Sequence, residues 1–101
     1  MKVLVLVTWE NPKSDEDLKK YYEYQNKHRQ YWIERSEKYN VKVSGWSDGT
    51  GKVYQLRKYE SYEDYAKHTD DEEFQKIAIH FFRLVNNAKM KVLREAITAP
   101  P

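Results

Sequence analysis

Residues 2–10, KVLVLVTWE, put Val3, Val5, Val7 and Trp9 on one side of an extended chain and Leu4 and Leu6 on the other. Both sides are apolar, which predicts a central strand covered on two faces. Asn11-Pro12-Lys13 breaks it, and Ser14-Asp15-Glu16-Asp17 has the S-x-x-D spacing of a capping box, with acids at the positive end of the coming helix. The predicted helix runs to about Tyr39, with Asn40 as its stop. At about 100° per residue, Leu18, Tyr21, Tyr22, Trp32 and Tyr39 share a face, and Gln25, His28, Arg29 and Ser36 fall in the same arc. Burying such polar groups without partners costs about 1–3 kcal/mol each, so a purely structural helix does not favour them there.

The next pattern is a hairpin. Residues 41–46 and 52–60 are rich in β-branched and aromatic side chains and flank the turn cluster Ser47-Asp48-Gly49-Thr50-Gly51. Ser61-Tyr62-Glu63-Asp64 repeats the S-x-x-D signal before a short helix to about His68. Thr69-Asp70-Asp71-Glu72 predicts a third cap and a helix over 72–86 with Phe74, Ile77, Ala78, Phe81 and Val85 on its core face. Asn86-Asn87 ends it, and residues 88–97 alternate as a closing strand.

The order is β-α-β-β-α-β. Lys2-Val3, Leu6 and Trp9-Glu10 are echoed by Lys52-Val53, Leu56 and Tyr59-Glu60, and each segment leads to a cap. That fits two βαβ units in a ferredoxin-like α+β domain with a four-stranded antiparallel sheet. Its helices cover only one sheet face, so the apolar second face of the first strand predicts a homodimer packed through the sheet faces.

Composition narrows the setting. The chain of 101 residues suits one domain over 1–98 with a tail at 99–101. It has no cysteine, which removes disulfides and thiolate metal sites and makes a reducing cytoplasm the expected location. No stretch reaches the ~18 apolar residues of a membrane span, and the N-terminal run reads as a strand rather than a signal peptide. A net charge of +2 without a basic stripe argues against a nucleic-acid partner. The segment Lys52–Tyr59 matches the third-strand RNA-recognition motif only at Lys52, Tyr54 and Tyr59, with Val53, Leu56 and Arg57 where it needs glycine, an aromatic and an aliphatic residue.

The order and the stretch Tyr59-Glu60-Ser61-Tyr62-Glu63-Asp64-Tyr65-Ala66-Lys67-His68-Thr69-Asp70-Asp71-Glu72-Glu73-Phe74 resemble the dimeric α+β barrel superfamily, in particular its antibiotic-biosynthesis-monooxygenase-type domains. Tyr21-Tyr22-Glu23-Tyr24-Gln25-Asn26-Lys27-His28 is similar instead to the EthD-like branch, where a Tyr-rich helix carries a His. The Glu-Pro-Gly-Cys-type segment of many monooxygenase-type members is absent. The resemblance implies a homodimeric barrel whose relatives span cofactor-independent oxygenases, isomerases and proteins without known activity. The haem-degrading members place a ligating His four residues after the helix Phe. Here that position is Ala78, which argues against haem.

Candidate chemistry centres on His28, suited to acid–base work near neutrality, with Gln25, Arg29 and Trp32 beside it for ligand binding. The alternative is that these polar groups sit at the helix edge and bond backbone or a dimer partner. His68 matches the family motif as a second catalytic candidate, and a helix C-terminal capping role is its alternative. Trp9, Trp46 and Tyr54 would wall an aromatic ligand or serve core and dimer contacts. Three separated histidines give no metal set, and the glycines form a hairpin turn rather than a phosphate loop, so no cofactor is expected. The expected function is a cofactor-independent enzyme of monooxygenase, isomerase or cyclase type acting on a small aromatic or enolisable molecule. The alternative is a non-catalytic ligand-binding or structural homodimer.

Overall fold

Strand β1 (Val3–Glu10) lies inside an antiparallel sheet, between β3 (Lys52–Tyr59) and β4 (Asn86–Arg94), and β2 (Val41–Ser47) pairs with the outer side of β3. The order across the sheet is β2-β3-β1-β4. The structure, a computed structural model, describes residues 1–96. The closing strand stops at Arg94, short of the expected 97; position 97 itself and the tail at 99–101 lie outside the described residues. Three helices complete the chain: α1 (Asp15–Lys38), α2 (Tyr62–Thr69) and α3 (Glu72–Leu84). This is an α+β architecture in β-α-β-β-α-β order with the second helical region split in two.

The alternation of β1 decides which side the helices cover. Val3, Val5, Val7 and Trp9 are buried with Tyr21, Tyr39, Val41, Tyr59 and Val85, whereas Leu4 and Leu6, on the opposite face, are only half-buried. The helices start where the sequence supplies acceptors for their first free amides. Ser14 Oγ accepts from Asp17 N at 3.1 Å, and Ser61 Oγ accepts from Asp64 N at 3.1 Å. In the hairpin turn Gly49 and Gly51 take positive φ (82° and 93°), which side chains disfavour.

Three expectations are corrected. The cap of α3 is Asp71, whose Oδ1 accepts from Phe74 N at 3.0 Å; Thr69 instead closes α2, its hydroxyl donating to Ala66 O. The last helix stops at Leu84, and Asn86-Asn87 opens β4, because Asn87 takes φ 50° where the β1–β4 register shifts between Thr8 and Glu10. The buried stripe of α1 is rotated from the expected arc: Tyr21, Tyr24 and Tyr31 are buried and Tyr22 is exposed. A tyrosine tolerates burial when its hydroxyl finds a partner, and Tyr24 donates to Ile77 O at 3.0 Å while Tyr31 pairs with His68 at 3.0 Å.

His68, on α2, is fully buried rather than capping a helix. Its Nε2 meets the Tyr31 hydroxyl and its Nδ1 the Tyr59 hydroxyl at 2.6 Å, so one ring nitrogen donates and the other accepts. The Phe74 ring stacks on it with centroids 4.0 Å apart. Burial, reinforced by the nearby Arg57 charge, lowers its pKa to about 4 against an ordinary 6.5. The folded protein therefore holds a neutral ring. The stabilisation is complete above the unfolded-state value and is lost as pH falls from about 6.5 toward 4. Between about pH 7.5 and 5.5 the expected loss is about 1 kcal/mol from this residue. Urea denaturation at the two pH values measures it, and His68→Phe, less stable throughout, should show a smaller difference.

Candidate functional site

The middle of α1 stands off the sheet. Tyr21 ties one part of the helix to β1, where Trp9 Nε1 donates to the Tyr21 hydroxyl at 3.1 Å, and Tyr31 fastens a later turn to His68. Between these attachments, α1, α3 and the helix-facing side of the sheet enclose an open cavity of about 410 Å³. That is within the range of small-molecule sites. Val7, Trp9, Gln55 and Arg57 supply the sheet wall, Tyr24, Gln25, His28, Arg29, Trp32 and Ile33 the α1 wall, and Phe74, Ile77, Ala78, Phe81 and Phe82 the α3 wall.

The structure thus brings Gln25, His28, Arg29 and Trp32 to one cavity, along with Trp9. It does not bring Tyr54 or His68 there. Tyr54 pairs with Thr8 and Trp46 on the opposite face of the sheet, because its position on β3 has the parity of Leu4 and Leu6. Trp46 on that face is 62% exposed. His68 lies behind Phe74, sealed from solvent. His80 is exposed, edge-on to the Tyr24 ring with centroids 5.3 Å apart.

The polar groups of the wall are held differently. Gln25 Nε2 donates to the Tyr21 hydroxyl at 2.9 Å, so Tyr21 accepts from both Trp9 and Gln25 and fixes the amide. His28 packs edge-on against Tyr24 with centroids 4.6 Å apart. Partial burial, then the charges of Lys27 and His80, lower its pKa, with Glu73 opposing. The ring is therefore neutral near pH 7. Arg57, on β3 opposite Val5 and Val43, is buried under the cavity with its guanidinium 5.6 Å from the Trp32 ring and 5.4 Å from the Phe74 ring. No acidic side chain lines the cavity among the described residues.

Sequence reasoning about candidate sites did not reach Arg57 or Gln55. The available signal was parity. Val53, Gln55, Arg57 and Tyr59 share one face of β3, and Tyr59 is fully buried on it. No group of three or more His, Cys, Asp or Glu side chains suited to a metal ion occurs among the described residues.

No family model matches the sequence, and no curated protein matches it. Solved structures do match in shape. SnoaB, a cofactor-independent oxygenase from Streptomyces nogalater, is 8% identical and superposes with a TM-score of 0.70 over 99% of this chain and 98% of that one. A candidate antibiotic biosynthesis monooxygenase from Deinococcus radiodurans is 13% identical, with a TM-score of 0.59 over 98% and 99% of the two chains. A dimeric ferredoxin-like protein from an uncultured marine organism is 19% identical, with a TM-score of 0.63 over 99% and 98%. The chain shares the ferredoxin-like α+β fold of these structures.

Within this fold the Tyr21 hydroxyl joins the cavity wall to the core. Tyr21→Phe leaves the buried Trp9 N–H without its acceptor and releases Gln25. The expected cost is about 1–2 kcal/mol, read from the midpoint of urea denaturation, while Tyr22→Phe on the exposed side should be nearly silent.

Proposed function

We propose that this barrel protein is a cofactor-independent enzyme acting on a small, partly aromatic or enolisable molecule held in the cavity. The observation that carries the reading is the neutral His28 imidazole on the wall of a cavity of about 410 Å³ shared with aromatic rings of Trp9, Trp32, Phe74 and Phe81, with Arg29 and Gln25 on the same helix wall. A neutral imidazole accepts a proton from an enol, phenol or activated C–H, and adjacent donors favour the anion left behind. That anion either regains a proton at another atom, which is isomerisation, or adds to a carbonyl carbon of the same molecule whose oxygen then takes up the proton, which is cyclisation, or gives electrons to dioxygen. SnoaB, a cofactor-independent oxygenase, shares the fold and adds support at the level of architecture.

A non-catalytic ligand-binding homodimer is the second reading, favoured by the Gln25 amide being tied into the wall by Tyr21. Solvent deuterium exchange into an enolisable β-diketone, followed by NMR, separates the two. The enzyme reading expects His28→Ala to lower the exchange rate by about 10²–10⁴-fold while phenols, quinones and β-keto acids still shift the melting temperature. Exchange indifferent to the substitution, with ligand shifts retained, supports the binding protein instead. Because the His28 pKa is lowered, wild-type exchange should persist somewhat below pH 6.5 and fall as the ring becomes protonated.

The same proposal includes a homodimer through the open sheet face, where half-buried Leu4, Leu6, Tyr54 and Leu56 adjoin Trp46 and Leu93, which are 62% and 43% exposed. The marine relative is described as dimeric. No described helix is long and apolar enough to cross a membrane, and a chain without cysteine suits the cytoplasm. Sedimentation equilibrium at micromolar concentration is expected to give twice the chain mass of 12.3 kDa, and Leu6→Asp to shift it toward the single chain.

A further inference from the structure

Arg57 and His68 are the two buried polar residues among the described ones, and they are treated very differently. His68 is neutral and bonded at both nitrogens. Arg57 is 7% exposed, its Nε is shut off from solvent without a hydrogen-bond partner, and no carboxylate lies within ion-pair distance of it among the described residues. The contrast with Arg35 is informative. The Nε of that less buried guanidinium also lacks a hydrogen-bond partner, but its charge is answered by Asp71 at 3.4 Å and Glu73 at 2.7 Å. The nearby groups on which the Arg57 charge acts, Tyr24, Tyr59 and His68, are all uncharged. A buried charge without a counterion is costly, and such a group in a cavity points to a ligand that supplies the missing charge.

We propose that the cavity takes a planar aromatic carboxylate whose carboxyl group pairs with Arg57. This rests on the reading of the cavity as a small-molecule site and specifies its ligand class. Trp32 and Phe74 pack against the guanidinium and hold it in place, and apart from the contact it makes with the Tyr59 hydroxyl its N–H donors, the partnerless Nε–H among them, remain for the oxygens of a carboxylate. One guanidinium balances one carboxylate, whereas a doubly charged phosphate would leave charge uncompensated at this depth. The aromatic walls suit a flat ring. In this pose the charged end lies against the sheet and the ring extends between the helices, where His28 and Arg29 line the wall.

The test is isothermal titration calorimetry of wild type, Arg57→Met and Arg29→Gln with 2-naphthoate and its uncharged isostere 2-naphthamide. Wild type should prefer the acid by about tenfold or more, the worth of one charge-assisted pair. Arg57→Met should abolish the preference while keeping amide affinity, and Arg29→Gln should preserve it. Equal affinity of wild type for the two probes overturns the carboxylate assignment and leaves the cavity standing as a site for neutral molecules. So does a preference that disappears in Arg29→Gln but survives in Arg57→Met. Failure of both probes to bind overturns the assignment and the small-molecule reading together. Should Arg57→Met not fold, the wild-type preference and Arg57→Gln decide the question by the same criteria.

Discussion

A tyrosine ring belongs in a core only if its hydroxyl is answered there, and this protein buries five of them. Tyr21 meets Trp9 and Gln25, Tyr24 meets the Ile77 carbonyl, Tyr31 and Tyr59 share His68, and Tyr39 donates to Asp71 at 2.9 Å. Apart from Tyr21–Gln25 within α1, each pairing crosses between segments, so apolar burial and directional bonding act at the same places. Aliphatic residues would supply comparable burial but would not fix which turn of α1 faces which partner. The hydroxyls set that alignment. His68 is suited to joining two of them because a neutral imidazole offers one donor and one acceptor.

The cavity follows from the spacing of those anchors. Tyr21 and Tyr24 hold the first half of α1 to β1 and α3, and Tyr31 and Tyr39 hold the second half to α2 and the start of α3. Gln25, His28 and Arg29 occupy the turns between, where no tyrosine reaches across. The rigid frame and the open space are therefore products of the same helix. Burial and the neighbouring Lys27 and His80 disfavour a further proton on His28, while burial and Arg57 do the same to His68.

Much of the architecture was legible in the sequence because its signals are local and redundant. The two-sided apolar β1 gave a central strand, Ser14 and Ser61 marked two helix starts, and the glycines at 49 and 51 marked the hairpin. The helical arc of Gln25, His28, Arg29 and Trp32 also depends on one element only, and the structure brings those four to one cavity. What was not legible depends on a second element. The rotation of α1 toward Tyr24 and Tyr31 depends on partners on α2 and α3. Arg57 sits in a face reading Val-Gln-Arg-Tyr, which resembles a solvated strand face until Trp32 and Phe74 are placed over it. Tyr54, grouped with the aromatics by type, went to the other side of the sheet by parity.

The sheet does not close, so β2 and β4 form its two borders. Each border strand carries lysines, Lys42 on one and Lys89 and Lys91 on the other, and β4 begins with the irregular Asn86-Asn87 step. Stacking further strands alongside would bring like charges together and require a kinked template to straighten. The molecule thus has a built-in deterrent to growing sideways into fibrils, and the greasy face of its sheet is left free for a different kind of contact.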